Sequence, residues 1–283
     1  MKKPHFTPHH INATPADFAG NHGIGRYVFL PGSNGRAKQI STFFDNVTVK
    51  EHPRGHHLYL GTLRTPSHTI DVASVSSGMG CPSMEIILHE LYQLGAKRFL
   101  RIGTAGSLQS KNIVIGDIIN VSGSVRDEST TKDYAPIEFP AMASLDMINV
   151  INATANALNL AKQTHTGVVH CKGSLYAREF GAGPNAAVND AYLDYLTRCG
   201  VLASEMETAA LLIQSQLYDH ECRQAGQGAV NRVLCGAILS IFCIPPHEFI
   251  DAETAKPHEE KAITLAIESI KMLAERELAA LIA

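Results

Sequence analysis

The sequence has 283 residues, 45% hydrophobic and 18% charged, which is enough apolar material to bury a large core within a single α/β domain. A formal net charge of -3, with no local cluster of Lys and Arg, offers no field for a nucleic-acid backbone, so nucleic acid is not an expected partner. Residues 1–8 lack the apolar core of a signal peptide and the longest apolar run, 233–246, is too short to span a bilayer, so no membrane association is expected.

From Tyr27 onward, short β-type runs alternate with helix-type periodicity, as in a sheet covered by helices on both faces. The expected class is α/β: one domain over 1–283, a three-layer sandwich whose central sheet is mixed, partly barrel-like and flanked by helices. Strands are expected at 27–31, 57–63, 69–76, 98–103, 117–122, 166–170 and 232–241. After Pro82 the residues Met84, Ile87, Leu88, Leu91 and Leu94 recur at three and four, giving a helix with one buried stripe. Met206, Ala209, Ala210, Ile213 and Leu217 repeat the pattern, as do Ile263, Ile267, Ile270, Leu273 and Leu281. The stretch 178–189, with Gly181, Gly183 and Pro184, reads as a loop, and 218–227 as a polar connector.

Three motifs carry chemistry, each with a plain structural alternative. In Pro31-Gly32-Ser33-Asn34-Gly35-Arg36 a strand enters a tight turn where exposed N–H groups and Arg36 can hold an anion; it is equally an ordinary strand-to-helix turn, and it lacks the Walker spacing. Arg101 lies inside the apolar strand leading to Gly103-Thr104-Ala105-Gly106, and a buried guanidinium needs an anionic partner. That partner is a ligand phosphate beside Thr104 or an internal carboxylate. In Glu205-Met206-Glu207 two acids open a helix: either they cap it, or a carboxylate binds vicinal ribose hydroxyls while Met206 packs on the sugar. Gly78-Met79-Gly80 is a poor dinucleotide fingerprint because its third glycine is missing. Fourteen histidines without H-E-x-x-H read mostly as surface residues and not as a metal site. Six cysteines without C-x-x-C suit a reducing cytoplasm.

Taken in order, these segments resemble the nucleoside phosphorylase-I family, and within it the uridine phosphorylases, over nearly the whole chain from about His10. The resemblance implies phosphorolysis of a nucleoside, uridine first, to free base and ribose 1-phosphate, with inorganic phosphate as co-substrate and no cofactor or metal. It places Gly32, Arg36, Arg54, Arg101 and Thr104 at the phosphate, with Arg54 reaching across a dimer interface. His10, Met206 and Glu207 are placed at the ribose, His10 again in trans, and Tyr176, Arg178 and other groups of 171–180 at the base. Arg101 and Glu207 are the implied catalytic pair, in a homodimer with shared sites that the family often builds into a hexamer.

The departures are specific. Ser33 stands where the family often has Asp, and the Gln-x-Arg that reads uracil in bacterial uridine phosphorylases is missing from Leu175-Tyr176-Ala177-Arg178-Glu179-Phe180. Arg178 is the expected substitute. Gly173 replaces the acid of purine-specific relatives, a late-strand arginine is replaced near Ile244, and Gly55 replaces the glutamate that binds a monovalent cation. A hydrolytic nucleosidase, a purine nucleoside phosphorylase of this fold and a non-catalytic nucleoside sensor are the alternatives. Three arginines around the nucleophile argue against the hydrolase.

Overall fold

The computed structural model describes residues 6–226, 228, 231–244 and 249–282. The N-terminal residues 1–5 and the tail of the apolar run at 245–248 lie outside them, as does Gln227 of the expected connector. In chain order the elements are β1 (Tyr27–Pro31), α1 (Asn34–Ser41), β2 (Asp45–Lys50), β3 (Leu58–Arg64), β4 (Thr69–Val75), α2 (Cys81–Gln93), β5 (Arg98–Ser107) and β6 (Ile118–Asp127). They continue as β7 (Ala141–Met142), α3 (Leu145–Ala157), β8 (Thr164–Lys172), α4 (Leu175–Glu179), α5 (Ala186–Arg198), β9 (Ala203–Glu205), α6 (Thr208–Gln224), β10 (Leu234–Cys243) and α7 (Ala252–Ile282).

One mixed sheet runs β10-β6-β8-β9-β5-β1-β4-β3-β2, and β10 also pairs with β5. That extra pairing closes β5, β9, β8, β6 and β10 into a five-stranded barrel, from which β1 to β4 extend as an open wing. Successive side chains alternate faces. Val28 and Leu30 therefore join the core under α2 and α6, whereas Tyr27 and Phe29 join the core under α3 and α7. These two cores are the inner surfaces of the expected three-layer α/β sandwich.

Tertiary structure corrects several sequence boundaries. The expected loop 178–189 is largely helical: α4 and α5 leave only the residues between Glu179 and Ala186 as connection. The expected connector from Tyr218 is the continuation of α6 to Gln224, because Tyr218 stacks on Tyr92 at 3.8 Å and Cys222 is buried one turn later. The last helix starts at Ala252, before its apolar stripe, where the Asp251 carboxylate accepts from the N–H groups of Glu253 and Thr254, both at 2.9 Å. Strands β2 and β9 were not expected: β2 alternates Val47 and Val49 with polar residues but lies at an exposed edge, and β9 is only three residues long. No helix among the described residues is long and apolar enough to cross a membrane.

Candidate active site

The turns after β1 and β4, the second half of β5, and the ends of β8 and β9 converge on a cavity of about 260 Å³. At one end lie Gly32, Ser33 and Arg36. Ser33 caps α1, its Oγ accepting from the Arg36 N–H at 3.2 Å. Gly78 and Met79 line the cavity beside them. Gly78 has φ +73°, and a Cβ there would lie 2.1 Å from Ser83 Oγ, so this position needs glycine. Gly32 does not: a Cβ would meet the Gly78 carbonyl oxygen at an ordinary 3.6 Å.

Arg101 is 3% exposed and crosses the cavity floor. Of the two alternatives for it, the internal carboxylate is present. It lines the cavity beside Thr104, and it is also ion-paired internally, directly with Glu207 and at 3.5 Å from Nε to Glu205 Oε2. An internal acid therefore satisfies the buried charge that was expected to await a ligand. The two acids of Glu205-Met206-Glu207 point to different places. Glu205 caps the helix, accepting from the N–H of Glu207 at 2.8 Å and from the N–H and hydroxyl of Thr208 at 3.0 and 2.6 Å. Glu207 turns into the cavity, where it accepts from the Gly80 N–H at 2.6 Å and from Arg101. Burial pushes the Glu205 carboxyl upward, but Arg101 and the Thr208 and Glu207 hydrogen bonds outweigh it and hold Glu205 below the usual range. Glu207 is pushed above that range, chiefly by burial and further by the neighbouring Glu205 charge, against the opposing pull of Arg101.

Arg36 also has an internal acid, Glu259 of α7, whose Oε1 accepts from Nε at 3.2 Å and from the terminal nitrogen. Arg54 and His10 do not line this cavity. With His56, Ser83 and Ile86 they border a neighbouring hollow that shares Met79 with it. Glu90 holds His10 there, accepting from both backbone N–H groups of His9 and His10 and contacting His10 Nδ1 at 2.7 Å.

The expected base readers are corrected most. Tyr176 is exposed and outside the cavity lining. Arg178 is outside it too: its guanidinium is held by Asp127, donates to Asn189 Oδ1 at 2.7 Å, and lies 4.7 Å over the Tyr192 ring. The cause is local: α4 turns Arg178 back toward β6 and α5. The same turn puts Leu175 and Glu179 into the cavity with Lys172, Ser204 and Phe249. Sequence reading missed Ser204 and did not single out Lys172 within 171–180. The signal was the one used for Arg101, a charge closing the apolar run Val168-Val169-His170-Cys171. His170 also departs from the surface expectation, being fully buried between Ser204 Oγ at 3.0 Å and Asp127 Oδ2 at 2.8 Å.

The cavity thus joins a glycine turn next to a capped helix with a buried Arg-Glu pair, and the chain belongs to the phosphorylase superfamily, whose model matches residues 26–224. Among individual proteins it is similar to the uridine phosphorylase of Treponema pallidum, 33% identical over 88% of this chain and 90% of that one. It is similar as well to the uridine phosphorylase of Thermococcus kodakarensis, 29% identical over 94% and 87%. The guanosine phosphorylase of Halorubrum lacusprofundi is 28% identical over 66% and 71%.

Proposed function

We propose that the protein is a uridine phosphorylase: a pentosyltransferase that cleaves uridine with inorganic phosphate to uracil and ribose 1-phosphate. The observation that carries this reading is a single cavity lined by two arginines and Thr104, the Met206-Glu207 step, and the polar groups of Lys172, Glu179 and Ser204. Phosphate would be held by Arg36, Arg101, Thr104 and the N–H groups following Gly32, where a helix N-terminus favours an anion. Its arrival draws the guanidinium of Arg101 from Glu207 toward the phosphate and frees that carboxylate for the ribose hydroxyls. Met206 packs on the sugar face. The C1′–N1 electron pair goes to the base while a phosphate oxygen bonds C1′, and the proton given up by hydrogen phosphate ends on the base through solvent. Alignment of nucleophile and leaving group and fixed charges around them account for the acceleration, so no covalent enzyme intermediate is needed.

Arg54 and His10, on the adjoining hollow across Met79, are assigned to the site of a neighbouring protomer, in a homodimer able to assemble into a hexamer. Six free thiols suit a reducing cytoplasm. The test is a panel of uridine, cytidine, inosine and adenosine incubated with and without phosphate, with released base separated by chromatography. Phosphate-dependent release of uracil is expected. Release without phosphate would mark a hydrolase, and purine release equal to that of uracil would overturn the pyrimidine assignment.

A further inference from the structure

Beyond the phosphate and ribose groups, the cavity contains a second pair of charges that neither phosphate nor ribose requires. Lys172 is 2% exposed, yet it carries a charge at the buried end of β8 and lines the cavity. Its Nζ donates to Ser204 Oγ at 3.1 Å and lies 2.8 Å from Glu179 Oε1. That oxygen is itself buried and accepts no well-directed hydrogen bond among the described residues. A buried ion pair with spare acceptor capacity is costly to keep for stability alone, since a well-packed apolar pair of similar volume is often neutral or better.

The groups behind Lys172 fix its role. Lys172 has no acceptor, so the Ser204 oxygen accepts from it and the Ser204 hydroxyl donates onward to His170 Nδ1. The His170 Nε2–H then donates to Asp127 Oδ2, whose charge is also held by Arg178. Burial pushes the Asp127 carboxyl upward, and His170 and Arg178 outweigh it, so Asp127 is held below its usual range. The chain thus runs in one direction from Lys172 to a permanent anion, and keeps an ammonium donor aimed along the cavity wall.

We propose that Lys172 and Glu179 form the base-reading pair, with Lys172 donating to a carbonyl oxygen of the base and Glu179 accepting the adjacent ring N–H. This rests on the phosphorolysis reading and supplies what the absent Gln-x-Arg would have done. Uracil presents a carbonyl next to an N–H, which an ammonium beside a carboxylate matches. Cytosine and adenine present an amino donor next to a ring acceptor, the reverse arrangement, and so leave both protein groups unmatched. The carbonyl and N–H of a 6-oxopurine have the same order, so this pair sets edge polarity and cavity size sets ring size. When the C1′–N1 bond breaks, its electrons spread onto the base carbonyl oxygens, and Lys172 then faces a developing negative charge. Its hydrogen bond strengthens in the transition state and not only on binding.

Removing either member singly strands a buried charge, so the informative variant is Lys172→Met combined with Glu179→Gln, which leaves none. The assay compares kcat/KM for uridine and for 5-fluorouridine, whose base leaves more readily as an anion. Uridine cleavage is expected to fall by roughly 100-fold and 5-fluorouridine cleavage by roughly ten-fold, so that their ratio shifts about ten-fold. That ratio is independent of the fraction of folded enzyme. An unchanged ratio, or a loss confined to the KM for phosphate, overturns the proposal. Binding gives a readout without turnover: with phosphate present, calorimetry on the unaltered protein is expected to detect uracil and not cytosine, and the same double variant to weaken uracil at least ten-fold. Equal binding of the two bases overturns the edge reading even where phosphate-dependent cleavage stands. Absence of phosphate-dependent cleavage in the unaltered protein instead removes the phosphorylase reading beneath it.

Discussion

Replacing Arg101 by alanine removes the one guanidinium that lies against both Glu205 and Glu207. Both carboxylates are buried, and Glu205 keeps its capping bonds to the start of α6. Breaking a buried pair from one side costs about 3–5 kcal/mol, because the remaining charge has neither water nor partner. Glu207 is already pushed upward and protonates readily, so the lower figure, about 3 kcal/mol, is the better expectation. For a chain of this size that corresponds to a fall in Tm of about 5 °C. The pH dependence has a definite sign. Orphaned carboxylates have folded pKa values above their unfolded ones, so their penalty is absent in acid, grows as pH rises from the unfolded values, and is complete above the folded ones. The Tm gap between unaltered protein and Arg101→Ala should therefore be wider at about pH 8 than at about pH 5. Scanning calorimetry across that range tests it, alongside Arg101→Met combined with Glu207→Gln, which removes one stranded charge and should recover about half of the lost Tm. Phosphorolysis should be lost in both variants. A Tm within about 2 °C of the unaltered protein at every pH would refute the account of Arg101 as a buried countercharge. Retained kcat/KM would refute its place at the phosphate.

Shared sites predict complementation: mixing inactive Arg54→Ala and Glu207→Ala proteins, with subunit exchange verified, should restore about one quarter of the activity, since half of randomly formed dimers are hybrids with one intact site. No recovery would place Arg54 outside the neighbouring protomer's site. Arg178→Ala should destabilise the protein by about 1–3 kcal/mol through loss of its contacts to Asp127 and Asn189, while uridine kcat/KM of the folded fraction stays within about three-fold. A hundred-fold loss at unchanged Tm would return Arg178 to the base. Glu90→Gln should speed hydrogen exchange at His9 and His10, about ten-fold after correction for intrinsic rates. Burial pushes the Glu90 carboxyl upward, but His10 and the two backbone N–H groups outweigh it and hold it low. Its hold is therefore present at neutral pH and lost as pH falls through that lowered value. Equal exchange in both proteins would show that Glu90 does not anchor the segment.

By itself the sequence determined the alternation of strands and helices, because the two apolar periods, two and three-to-four, are properties of consecutive residues. It also marked Gly32, Arg36, Arg101, Thr104 and the Met206-Glu207 step, all of which line the cavity, because charges buried in or beside apolar strands stand out wherever the strand packs. Short elements left no such trace: β9 has three residues, and α4 depends on its seat against β6 and α5. Only tertiary structure separated the two arginines of β5. Arg98 and Arg101 sit three residues apart, and so on opposite faces of the strand. One is sealed against Glu277 of α7 with Nε 2.8 Å from the carboxylate, and the other opens on the cavity. Nothing in the local sequence distinguishes them, because which face is covered depends on a helix more than 150 residues away. The same holds at the other end of the cavity. Lys172, Glu179 and Ser204 come from β8, α4 and β9, and it is the pairing of β8 with β9, together with the turn of α4, that brings the three side chains together.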